Sequence, residues 1–193
     1  MNGDSIPADE LWVLSYYRAS ELAGALLFGR LARRTIDPEM AALLTDHFAE
    51  EARHAQLWTQ TIRRLGHWPI RITETYQSRY AREIGLPTSI PQILVLTRVF
   101  EERICHHFSR HARRPNTHPA VKETLLTMLR DESQHLDWVG KKLAEYEIAG
   151  VADIAGLTRS YREADERIYR DVLIHEKRLW DFLGAAAPAG SVA

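Results

Sequence analysis

The chain has 193 residues, 25 Lys and Arg against 26 Asp and Glu, nine His, and a formal net charge of −1. That length suits one domain with a real core, and the near-neutral balance gives no electrostatic footprint for nucleic acid. A single cysteine, Cys105, excludes an intrachain disulfide framework and any Cys-rich zinc or rubredoxin-type iron site.

Taken in order, the punctuation marks out helices. Pro7 starts a first helix with an apolar stripe of Leu11, Leu14, Tyr17, Ala25, Phe28 and Ala32. It ends near TIDP, where Asp37 is placed to cap and Pro38 to open a second helix. That helix carries Leu44, Phe48, Ala55, Trp58, Ile62 and Leu65, and stops at Gly66. Residues 66–90 form a connection of about 25 residues, long unless it crosses over or lines a site. Within it, TETYQSRYAREIG can form a short helix. Pro91 opens a third long helix with Leu94, Ile104 and Phe108, ending before RRPNTHP. Pro119 opens a fourth with Leu125, Met128, Leu136, Val139 and Leu143, closing near Gly150.

A fifth amphipathic stretch, 158–183, carries Tyr161, Ile168, Val172, Leu179 and Phe182, and residues 186–193 read as a flexible tail. No strand alternation appears. The expectation is an all-α, single domain over 1–185: a four-helix bundle with a long crossover between helices two and three and an added C-terminal helix. MNGDSIPADE lacks a basic-then-apolar leader and the longest apolar run, LAGALLF, is too short to span a bilayer. A cytoplasmic location is therefore expected.

Each of the four long helices interrupts its apolar stripe with carboxylate chemistry. The interruptions are Glu21; Glu51 with His54; Glu101 or Glu102; and Glu132 with His135. Residues three apart share a helical face, so each Glu-x-x-His presents two donors side by side. Two such pairs mean little alone, but their levels agree. Glu21 lies about 13 residues before the first turn and Glu51 about 14 after it, so at ~1.5 Å per residue an antiparallel hairpin brings them level. Glu101 and Glu132 match in the same way, about 12 and 13 residues from their turn.

Four core carboxylates without counterions would be several kcal/mol unfavourable each, unless they protonate or pair with Arg98 or Arg53. Two divalent cations would balance all four charges with both histidines neutral. A mixed imidazole and carboxylate set suits iron, with manganese as competitor. Of the helix-three pair, Glu101 shares a stripe with Leu94, Thr97, Cys105 and Phe108, whereas Glu102 falls with Arg98, His106 and Ser109.

This pattern resembles the ferritin-like di-iron carboxylate superfamily over about residues 8–148. The resemblance implies terminal ligands at Glu21 and Glu101, bridging carboxylates at Glu51 and Glu132, and one imidazole per metal from His54 and His135. EERICHHF resembles third-helix segments of demethoxyubiquinone hydroxylases and the tRNA-modifying MiaE hydroxylases, in which the first Glu is the ligand; this selects Glu101. HLDWVGKKL is similar to a segment of aldehyde-deformylating oxygenases. By the same resemblance Asp131 would support His54, and by internal symmetry Glu50 would support His135. Tyr17, Thr97 and Cys105, each one turn from a ligand, are candidates to line an O2 pocket. His106, His107, His111, His118 and His175 lie off the pattern and read as surface or capping residues.

A storage ferritin normally lacks the second Glu-x-x-His, and a rubrerythrin adds another helix-three Glu and usually a Cys-rich domain. The resemblance therefore implies a monooxygenase or oxidase using two iron ions (or manganese) and O2 on a small organic substrate. No G-x-G-x-x-G or P-loop is present, so electrons would come from a ferredoxin, a reductase or the substrate. A homodimer is compatible with it, and neither a nucleic acid nor a membrane is expected as partner. The other readings are a ferritin- or rubrerythrin-like iron-handling or peroxide-reducing stress protein, and a metal-free helical interaction module.

Overall fold

The structure, a computed structural model, describes residues 6–85 and 87–175. Among them are six α-helices and no strand, so the fold is all-α. The chain divides into two compact units, Met1–Gln77 and Ser78–Ala193.

In the first unit, α1 (Ala8–Arg34) and α2 (Pro38–Arg64) pack against each other as a hairpin. Asp9 and Glu10 in the first turn of α1, and Arg33 and Arg34 in its last, complement the helix dipole. Asp37 accepts a hydrogen bond from Met40 N at 2.8 Å and Pro38 supplies the first helical position, so the turn is as tight as TIDP implied. α2 ends in a Schellman turn: His67 N donates to Ile62 O, Gly66 N donates to Arg63 O, and Gly66 takes φ 78°. The interior holds Val13, Leu14, Leu44 and Ile62, with Tyr17 and Trp58 in a tilted pair at 5.3 Å. Arg18 Nε donates to Thr59 Oγ1 across the hairpin at 2.7 Å. The segment after α2 lies back on α1, with Ile70 N donating to Ser15 Oγ and Gln77 Nε2 to Ser20 O. Phe48, expected on the buried stripe, is 39% exposed, and its place is taken by His47. The buried run Leu44, His47, Glu51, His54, Trp58 follows the helical step, which leaves position 48 turned about 100° away from His47.

α3 (Tyr76–Glu83) begins at the end of the first unit and continues into the second. The second unit also contains α4 (Ile90–Ala112), α5 (Pro119–Ile148) and α6 (Ile154–His175). Ser89 and His118 cap α4 and α5, each just ahead of a proline near the helix start. α5 closes in a second Schellman turn at Gly150, φ 65°, with Val151 N donating to Tyr146 O. α6 starts at Ile154, earlier than the expected 158, because Asp153 Oδ1 accepts from Gly156 N at 2.8 Å. The expected continuation to 183, with Leu179 and Phe182, and the tail 186–193 lie outside the described residues.

α4 and α5 pack together, and α6 lies mainly on α4. Leu94, Phe108, Val121, Leu125, Met128 and Val139 form the apolar interior, joined by Ala164, Ile168 and Val172 of α6. One buried acid ties three helices. Asp165 on α6 accepts from Tyr80 Oη on α3 at 2.6 Å and from Arg103 Nε on α4 at 2.9 Å. The Arg103 guanidinium also covers the Tyr169 ring at 4.1 Å.

The histidines outside the ligand pattern divide. His118 is a cap, as expected, and His106 is exposed. His107 and His111 are buried, which corrects their reading as surface residues; both fall on the inner face of α4 with Phe108. The side chain of His175 lies outside the described residues.

Burial, reinforced by the nearby Arg103 charge, pushes the His107 imidazole down to about 3 from an ordinary 6.5. The folded ring stays neutral while the unfolded one protonates below its ordinary value. The stability this represents is complete above 6.5 and lost as pH falls from there towards 3. Urea unfolding at pH 7 and pH 4.5 is therefore expected to show an acid loss of order 1 kcal/mol or more that shrinks in His107→Gln. An equal acid loss in both proteins would exclude this role.

Candidate metal centre

In the first unit, Glu21 of α1 and Glu51 and His54 of α2 come together. All three are buried, and each offers a donor atom within 4.8 Å of the others'. His54 Nδ1 lies 3.8 Å from Glu21 Oε2. The hairpin accounts for this: a tight turn and two straight helices set residues at equal distance from the turn side by side.

In the second unit, Glu101 of α4 and Glu132 and His135 of α5 do the same. His135 Nδ1 lies 3.2 Å from Glu132 Oε2 and 3.5 Å from Glu101 Oε1, again with all three buried. Burial alone would lower the His135 pKa, but hydrogen bonds and charges from Glu101 and Glu132 outweigh it and hold the proton up to about 12. Glu102 turns outward to Arg98 (3.1 Å) and Arg162 (2.9 Å).

The remaining sequence candidates take varied places. Tyr17 and Thr97 are buried one turn before Glu21 and Glu101, Tyr17 against Trp58. Cys105 is half-buried one turn after Glu101. Burial first, then the charges of Glu132 and Glu101, push its thiol up to about 12, so it stays a neutral S–H. Asp131 and Glu50, preceding Glu132 and Glu51, are half-buried.

Two residues that sequence reasoning passed over belong to the first trio's surroundings. His47, one turn before Glu51, is 1% exposed, and its Nε2 lies 3.5 Å from Glu51 Oε1. Its ring packs on Phe28 at 3.9 Å. Gly24, one turn after Glu21, lies where a Cβ would collide with Glu51 Oε2. The His47–Glu51 spacing was the available signal for the first. For the second the signal was a glycine inside a helix that otherwise has no need of one.

Each trio is a mixed oxygen and nitrogen donor set on a buried helix face, the chemistry that suits Fe(II) or Mn(II). The cradle at Gly24 lets a carboxylate approach the α1 backbone, and buried carboxylates that outnumber the imidazole in each trio favour a cation. These residues fit a metal ion. No family model, curated protein or solved structure matches the chain. Among the described residues, no helix is long and apolar enough to cross a membrane.

Gly24→Ala is expected to leave the hairpin folded, within about 1 kcal/mol of wild type, because alanine improves helix propensity. It should also displace the Glu51 carboxylate by on the order of 1 Å, since Cβ needs ordinary van der Waals separation. A crystal structure of the variant with Glu51 unmoved would show that the glycine does not set this approach.

Proposed function

We propose that the two trios, Glu21/Glu51/His54 and Glu101/Glu132/His135, jointly hold two iron ions, with manganese as competitor. The chain is then an O2-activating di-iron oxidoreductase that oxidises a small organic substrate, most simply by hydroxylation. The observation that carries this is a repetition: each compact unit independently buries two carboxylates around one imidazole. Burying an acid is unfavourable, and doing so twice in the same pattern calls for one common cause. A ferritin-like four-helix bundle built from α1, α2, α4 and α5, with 66–90 as its crossover, belongs to the same reading.

In this reading Glu21 and Glu101 would be terminal ligands, Glu51 and Glu132 would bridge, and His54 and His135 would each bind one ion. Bound reduced iron would supply the capacity to activate O2. The chain's own residues hold the ions, and their apolar surroundings limit water. Electrons come from a ferredoxin, a reductase or the substrate. The competing reading, a metal-free Glu/His network, draws support from the way His135 already sits between two acids.

Anaerobic Fe(II) titration separates the two. The expected plateau is two irons per chain, with proton release, because His135 must give up its proton to bind. A plateau near zero favours the metal-free network. Glu51→Ala and Glu132→Ala are each expected to lose the metal pair, and retention of two irons by both would refute the ligand assignment. After loading, O2 consumption that depends on an added organic substrate supports the oxygenase, whereas mineral growth beyond two irons points to iron handling instead.

A further inference from the structure

The inner face of α2 carries more donors than the trio needs. Glu51 is flanked one turn before by His47 and one turn after by His54, and both imidazoles are buried to 1% exposure or less. The two oxygens of Glu51 have different neighbours: Oε1 faces His47 Nε2 at 3.5 Å, and Oε2 lies against the bare Cα of Gly24. His47 and His54 are two turns apart, roughly 10 Å along the helix axis. Donors so separated are poorly placed to converge on one ion with bonds of about 2.1 Å. They suit two ions about 3.5–4 Å apart, one at each oxygen of a bridging carboxylate.

The second unit has no counterpart. One turn before Glu132 stands Met128, fully buried, and one turn after Glu101 stands Ile104. At these matching positions the imidazole and the missing Cβ belong to the first unit.

Resting on the di-metal reading above, we infer that His47 is a further metal ligand, serving the ion at Glu51 Oε1, and that the two metal positions are consequently unequal. The His47 position gains a nitrogen donor, which favours ions with a taste for imidazole, such as Fe(II), Co(II) and Zn(II), over Mn(II). Phe28 against the ring holds it in place for that role.

The test uses Zn(II) as a diamagnetic probe of the full-length protein. In wild type labelled with 15N-histidine, zinc loading is expected to shift the ring-nitrogen resonances of three histidines, His47, His54 and His135. Two bound zinc ions with the His47 resonances unmoved would overturn the inference and leave the di-metal reading standing. Failure to bind zinc or iron at all would take down both. In a competition titration, His47→Gln is expected to keep one zinc at wild-type affinity and weaken the other 10- to 100-fold, by about the measure of losing one ligand-shell group. Two unchanged affinities would count against His47 as a ligand.

Discussion

A carboxylate removed from water has to be neutralised, and much of this molecule's design follows from how that is done. The chain uses two solutions. Asp165 receives a guanidinium and a phenol, and in return fastens α3, α4 and α6 together. The glutamates of the two trios are given an imidazole instead. In the second trio a single imidazole, His135, lies between two buried acids. Arginine completes the Asp165 site as a structural joint. The trios, by contrast, gather the donor types that a cation would take up, which is the basis of the di-metal proposal.

The helical framework was legible because its boundaries have chemistry of their own. Asp37-Pro38 and Pro119 open helices, and Gly66 and Gly150 close them with positive φ, as their residue types require. The start of α6 was missed because the cap is a lone Asp153 with no proline to draw attention to it. The division between Gln77 and Ser78 falls inside a short helix, with no glycine, proline or change in composition to mark it. Periodicity also assigned Phe48 inward on hydrophobicity, when the helical step through Glu51, His54 and Trp58 favours His47.

The candidate site was legible to the extent that it depends on distance along a helix. Equal distances from a turn gave the levels, and stripe membership separated Glu101, which is buried, from Glu102, which holds two arginines. What sequence did not give were the neighbours whose contribution is an absence or an exception. Gly24 matters for the side chain it lacks. His47 was hidden because its one signal, a spacing of four from Glu51, is met equally by an ordinary core histidine.

The two trios share a plan but not a chemical character. Around Glu51 the surroundings are rich in nitrogen and open on one side to the α1 backbone. Around Glu101 and Glu132 they are acidic and bordered by a neutral thiol and a buried thioether. The His135 imidazole holds its proton between two carboxylates, whereas His47 and His54 stand one turn either side of Glu51. In the proposed di-metal reading, loading of the second trio would displace that proton, so its occupancy would depend on pH. Because an ion that binds only the folded chain stabilises it, any cation taken up by the trios would add to the stability of the fold.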